Sequence, residues 1–173
     1  MSIYIAFGSN QALGNIMPEA LVREAAFALE EKNIAIRSRA SLWHSPAWPD
    51  PTDPPYVNSV VEVETQMSPA GLLSCLHEVE AQFSRTRRAL NAPRTLDLDI
   101  LDYRGQVSTD AGGPLLPHPR AHMRAFVLLP LQEIAPGWRH PVSGQPIASL
   151  VAALPADEIA GMRRIGPFKA DSR

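Results

Sequence analysis

Asn91-Ala92-Pro93-Arg94-Thr95-Leu96-Asp97-Leu98-Asp99-Ile100-Leu101 is the stretch around which the rest of the chain is organised. Over residues 96–100 apolar and acidic side chains alternate strictly, the period-two pattern of a strand with one buried face. Leu96, Leu98 and Ile100 are expected to point into the core. Asp97 and Asp99 then share the opposite face, about 6.6 Å apart at the usual strand rise. Two carboxylates so placed repel, and one takes up a proton unless positive charge lies between them. A divalent cation suits them, and Mg²⁺ in particular binds one or two carboxylates together with waters and substrate phosphates. A solvated face of an antiparallel sheet has the same alternation, so the spacing alone leaves both readings open.

The approach to this strand carries Arg85, Arg87, Arg88 and Arg94 with no acidic residue among them. The guanidinium fork grips phosphate oxygens in pairs, so an arginine-rich loop beside an acidic strand describes a polyphosphate site. Lys32 and Lys169 are the only lysines, so part of the arginine excess is compositional.

Working outward, residues 3–7 read as a strand ending at the breakers Gly8-Ser9-Asn10, which are expected to form a plain strand-to-helix turn. Pro18, followed by Leu21, Ala25, Ala28 and Leu29, predicts a helix that ends at Lys32-Asn33. Ile34 and Ile36 begin a second strand leading to Leu42-Trp43. Residues 45–55 hold Pro46, Pro49, Pro51, Pro54 and Pro55 and predict a long irregular connection. Trp48 in its middle is either exposed on a linker or displayed to cover a flat ring. Residues 56–65 alternate again, with Val57, Ser59, Val61 and Val63 on one face and Tyr56, Asn58 and Val60 on the other; the Asn58 amide can donate and accept at once along the edge of a heterocycle. Ser68-Pro69 caps a second helix whose buried stripe is Leu72, Leu76, Val79 and Phe83. Glu80 lies off that stripe, placed either to hold a nucleotide or to pair with an arginine. After a hairpin-like turn at Tyr103-Arg104-Gly105 come His118, fixed between two prolines, then Arg120 and Arg124, spaced to share one side of a helical turn. Residues 147–154 predict a short closing helix, and the stretch from Arg163-Arg164 to Arg173 is expected to be peripheral.

Composition bounds the function classes. The chain has 173 residues, 45% hydrophobic and 20% charged, as in an ordinary soluble domain, and the net charge of −2 gives no general affinity for nucleic acid or anionic membrane. Cys75 is the only cysteine, so an internal disulfide is impossible, and its apolar helical setting predicts a structural thiol. With no apolar run near 20 residues and no signal-peptide pattern, the expected location is cytoplasmic.

The run Ala-Pro-Arg-Thr-Leu-Asp-Leu-Asp-Ile-Leu, with His118-Pro119-Arg120 and Arg124-Ala125-Phe126 downstream, closely resembles the 6-hydroxymethyl-7,8-dihydropterin pyrophosphokinases of folate synthesis. The resemblance runs from Tyr4-Ile5-Ala6-Phe7-Gly8-Ser9-Asn10 to about Trp138. It implies ATP as co-substrate and two Mg²⁺ ions held by Asp97 and Asp99, with Arg85 and Arg94 joining those two aspartates as catalytic residues. It implies ATP contacts at Glu80, Arg85, Arg87, Arg94, His118, Arg120 and Arg124, and pterin contacts at Ser45, Ala47, Trp48, Tyr56, Asn58 and Phe126. Leu90-Asn91 departs from many relatives, which carry an aromatic or an arginine just ahead of the Gly/Ala-Pro-Arg; Arg88 is the candidate to substitute. One pyrophosphokinase domain over residues 1–173 is expected, with its motifs in about 1–138, acting as a monomer on small-molecule substrates.

The pattern of elements predicts an α+β sandwich of ferredoxin-like type, with helices on one side of a mainly antiparallel sheet. Two other functions use the same features. A two-metal nucleotidyltransferase or nuclease would also use Asp-x-Asp, with a third acid and a broader basic surface. An RNA-binding module would need an aromatic K/R-G-F/Y-G/A-F-V-x-F/Y strand, which this sequence lacks.

Overall fold

A computed structural model describes residues 1–47, 50–83, 95–110 and 112–169. In chain order its elements are β1 (Ile3–Ser9), α1 (Pro18–Glu31), β2 (Ala35–Arg39), β3 (Leu42–Ser45), β4 (Tyr56–Glu64), α2 (Pro69–Gln82) and β5 (Asp97–Tyr103). A single 3-10 turn at Ala121–Met123 leads into α3 (Ala125–Ile134), followed by α4 (Ile147–Ala152), α5 (Ala156–Gly161) and β6 (Arg163–Gly166).

The helices begin and end where local chemistry dictates. α1 and α2 each open on a proline, whose missing N–H is no loss in the first turn. The Ser68 hydroxyl caps α2 by accepting from Gly71 N at 3.1 Å. Beyond α1 the chain turns through Asn33 at φ 61°, a left-handed conformation that asparagine tolerates. Every strand pairing is antiparallel, in the order β5-β1-β4-β3-β6, with β2 also on β4. β2 and β3 act as two halves of one strand interrupted at Ala40, whose N–H still reaches Val60 O at 2.9 Å. Strand–helix–strand–strand–helix–strand in the order β5-β1-β4-β3 is the ferredoxin-like plan, and the α+β class is as expected.

Helices cover both faces of this sheet, not one. On one face Ile5, Phe7, Val61, Leu98 and Ile100 pack against Val22, Ala25 and Leu29 of α1 and Leu72, Leu76 and Val79 of α2. On the other, Tyr4, Val60 and Leu101 pack against Leu128 and Leu131 of α3 and Leu150 of α4. The expectation missed this because β4 is buried on both sides, with Asn58 and Ser59 as well as its valines withdrawn from water. Central strands with two covered faces lose the clean alternation that would show which face needs a partner. The expected peripheral C-terminal stretch is also corrected: β6 extends the sheet beside β3, Phe168 packs edge-on against Phe7, and Arg23 Nε donates to Phe168 O at 2.8 Å. Among the described residues, no helix is long and apolar enough to cross a membrane.

Candidate active site

On the α3 face the strands stop building a core halfway along their length. Asn58 of β4 lies opposite Gly8 of β1, which lies opposite Asp97 of β5; one step on, Val60, Ala6 and Asp99 form the next row. Gly8 and Ala6 project little or nothing, so the space over β1 stays open. It separates the Asn58 side from the Asp97 and Asp99 side by two strand spacings, about 9.6 Å. A cavity of about 540 Å³ fills that space, within the usual range for a small-molecule site. Ser45, Pro46, Tyr56 and Asn58 line one side and Asp97, Asp99 and Leu101 the other, while the segment entering α3 adds His118, Arg120, Met123, Arg124, Phe126 and Val127.

Each side is held by hydrogen bonds that fix its orientation. Asn58 is 4% exposed, and its Nδ2 donates to Ser45 Oγ at 2.8 Å. That bond sets which way the amide faces, with Oδ1 toward Gly8, where a Cβ would lie 3.7 Å away. On the acidic side β5 bulges: Ile5 pairs with Ile100 and Tyr4 with Asp102, leaving Leu101 as the extra residue. The bulge sets Asp102 opposite Tyr4, where its carboxylate accepts from Trp138 Nε1 and Gly105 N, each at 2.8 Å. Leu101 O accepts from His118 N at 2.9 Å and so ties the following segment beside the aspartates.

His118 Nδ1 accepts from Arg120 N at 3.2 Å, which puts the ring proton on Nε2, 3.9 Å from Asp99 Oδ2. Burial lowers the His118 pKa, and Arg124 and Arg120 lower it further against the opposing pull of Asp99. Burial and Arg120 also lower Arg124, while Asp99 and Asp97 raise it; a guanidinium nonetheless remains charged. The Arg124 guanidinium lies 5.3 Å from the centre of the Phe126 ring, a cation–π distance that holds both at the mouth of α3. Pro130, one turn on, has no N–H to offer Phe126 O.

Of the residues expected from sequence, Ser45, Tyr56, Asn58, Asp97, Asp99, His118, Arg120, Arg124 and Phe126 meet at this one cavity. Ala47 is buried but is not among the lining residues. Glu80 also stands away from it: Oε1 accepts from Leu98 N at 2.7 Å, on the edge of β5 that faces away from β1. Trp48, Arg85, Arg87, Arg88, Leu90, Asn91 and Arg94 lie outside the described residues. Gly8, expected in a plain turn, belongs instead to β1 and the cavity floor. Ala6 and Gly8 were findable, since two small residues two apart in an apolar strand mark one face left empty. Pro46, Met123 and Val127 carry no comparable signal.

The carboxylates of Asp97 and Asp99 are the hard oxygen donors that Mg²⁺ prefers, and both line the cavity. Among the described residues, no group of three or more His, Cys, Asp and Glu side chains could hold a metal ion. A cation here would therefore take its remaining ligands from water and substrate, as Mg²⁺ commonly does.

A sequence model described as 7,8-dihydro-6-hydroxymethylpterin-pyrophosphokinase (HPPK) matches residues 4–136. The 2-amino-4-hydroxy-6-hydroxymethyldihydropteridine pyrophosphokinase of Synechocystis is 40% identical over 113 residues, 65% of this chain and 57% of that protein. The enzyme of the same name from Pseudomonas aeruginosa is 34% identical over 157 residues, 91% of this chain and 94% of that protein. The chain thus spans little more than half the length of the first relative and nearly all of the second. Among solved structures, wild-type HPPK-DHPS of Plasmodium falciparum superposes with a TM-score of 0.66 at 14% identity, covering 87% of this chain and 44% of that one, which is a likeness of fold. With residues 4–136, most of this chain, matched by the family model, the chain belongs to the 7,8-dihydro-6-hydroxymethylpterin-pyrophosphokinase family.

Proposed function

We propose that the protein transfers the terminal diphosphate of ATP to the hydroxymethyl oxygen of 6-hydroxymethyl-7,8-dihydropterin, releasing AMP, as a step of folate biosynthesis. The observation that carries this reading is the single cavity in which an oriented amide and an acidic pair face each other across Gly8 and Ala6. One side suits the edge of a pterin; the other suits a cation and a polyphosphate.

Asn58, its amide fixed by Ser45, hydrogen-bonds the pterin edge, and Tyr56 and Phe126 bound the flat ring. Ala47 and Trp48 complete the pterin contacts. Arg120 and Arg124 face the phosphates, and His118 donates from Nε2. Arg85, Arg87, Arg94 and Glu80 hold the rest of ATP. Asp97 and Asp99 would hold two Mg²⁺ ions, which when bound neutralise charge on the phosphate oxygens. The bond from the hydroxymethyl oxygen to the β-phosphorus forms as the bond from that phosphorus to the α,β-bridging oxygen breaks; AMP leaves with the electron pair, and the hydroxyl proton passes to solvent. Alignment and electrostatics carry most of such a step. The protein acts as one cytoplasmic, monomeric pyrophosphokinase domain.

The test is to incubate the purified protein with ATP, Mg²⁺ and the reduced hydroxymethylpterin and to identify the released nucleotide. AMP that appears only with the pterin is the expected result. ADP would mean transfer of a single phosphoryl group, and no turnover by a folded sample would overturn the reading.

A further inference from the structure

α5 and β6 lie beyond residues 4–136, the part that matches the family, yet they reach the wall of the cavity. β6 pairs with β3, placing Arg164 opposite Trp43 and Arg163 opposite His44. β3 ends at Ser45, and Ser45 and Pro46 both line the cavity. α5 ends at Gly161, where an added Cβ would lie 3.0 Å from Pro46 Cγ and 3.3 Å from Pro46 Cδ. The pyrrolidine ring is closed onto the main chain and cannot swing aside as the end of a flexible side chain would. Gly161 is not among the glycines at positive φ, so space rather than backbone conformation calls for glycine here.

A hydrogen-bonded anchor holds this contact in place. Arg164 donates from Nε to Ser41 Oγ at 2.7 Å and from a terminal nitrogen to Glu133 Oε1 at 2.8 Å. Glu133, on α3, also accepts from Ser41 N at 3.1 Å and from Trp43 Nε1 at 3.2 Å. The start of β3, the helix over the cavity and β6 are thus fastened at one carboxylate.

We propose that Gly161 is a positioning residue for the Ser45–Pro46 wall, with the Arg164–Ser41–Glu133 network as the anchor that holds α5 and β6 against it. The inference rests on the pyrophosphokinase reading, in which that wall contacts the pterin. Asp97 and Asp99 lie on β5, on the far side of β1 from β4 and β3, so a shift of residues 45–46 acts on the pterin and leaves the ATP side unchanged.

The experiment compares Gly161→Ala with wild type in the full chain, reading KM for pterin and for ATP, kcat and thermal stability. A wall moved by a few tenths of an ångström should raise the pterin KM about three- to tenfold, below the roughly 100-fold of a 1 Å misplacement, with ATP KM and kcat within about twofold. In a Pro46→Ala background, which removes Cγ and Cδ, Gly161→Ala should change the pterin KM less than about twofold, because the clash has no partner. Arg164→Gln should show the same pterin-selective shift, with Arg164→Lys between it and wild type; it decides the matter should Gly161→Ala fail to fold. An unchanged pterin KM in Gly161→Ala, or equal changes in both KM values together with lost stability, would overturn the positioning role while leaving the pyrophosphokinase reading intact. No turnover of pterin by the wild type would instead overturn the functional reading and this inference with it.

Discussion

The two faces of the sheet come from the same strands and have opposite characters. Under α1 and α2 the face is mainly apolar, running through Ile3, Ile5, Phe7, Val61, Leu98 and Ile100, with Ser9 and Ser59 as its buried polar residues. Under α3 the face is apolar only as far as Tyr4, Val60 and Leu101, and then gives way to Ala6, Gly8, Asn58, Asp97 and Asp99. Since successive side chains on a strand point to opposite faces, one residue in two can serve folding and the next can serve chemistry with little interference. The sealed face therefore carries stability, and the open half of the other face holds the candidate active site.

Substitutions should separate accordingly. Asp97→Ala or Asp99→Ala is expected to lower turnover by at least about 10³-fold, roughly 4 kcal/mol in the barrier, with an unchanged melting temperature. Wild-type turnover in either variant would remove the aspartates from the site. Leu76→Ala, on the sealed face, should destabilise the fold by about 2–5 kcal/mol in denaturant titrations while the folded fraction keeps its pterin KM. A large KM change there would show that the faces are coupled. Asn58→Ala leaves the buried Ser45 hydroxyl without its donor and should weaken pterin binding by about 1–3 kcal/mol, measurable by calorimetry, with ATP affinity unchanged.

The smallest effect concerns His140. It is 8% exposed, its Nδ1 accepts from Ser143 N at 3.2 Å, and its ring lies 5.0 Å from that of His122. Burial lowers the pKa of His140, and His122 lowers it further against the pull of Asp102. A histidine whose pKa is depressed on folding contributes full stability above its unfolded value of 6.5, and loses it as pH falls from there toward the folded value. Melting temperatures should therefore fall between pH 7.5 and 5.5. His140→Asn, which keeps an acceptor for Ser143, should fall less steeply; an equal slope would exclude His140 as its source.

Much of this could be read from the sequence. The alternation of Leu96, Asp97, Leu98, Asp99 and Ile100 placed each side chain on the face it occupies, because the strand period is a local property. The Ser68-Pro69 cap, the α1 stop at Lys32 and Asn33 and the turn at Arg104 and Gly105 are likewise local. β6 was missed because an edge strand is held by its backbone, and Arg163-Arg164 shows no apolar pattern. The structural partner of Glu80 was not legible because helical spacing gives its direction from the axis of α2 but not what lies beside it, here the amide of Leu98.

By itself, the sequence determined which residues alternate, where α1, α2 and α4 begin, though not α3 or α5, and which side chains carry charge. It also placed the chain in its family, because these features depend on neighbours along the chain. Only the tertiary structure decided that Gly8 and Ala6 hold a cavity open between Asn58 and the aspartates, that α3 covers the second face, and that a glycine far along the chain fits beneath Pro46. Each of those outcomes depends on which strands lie side by side and how much volume separates them, and neither quantity is written in any local pattern.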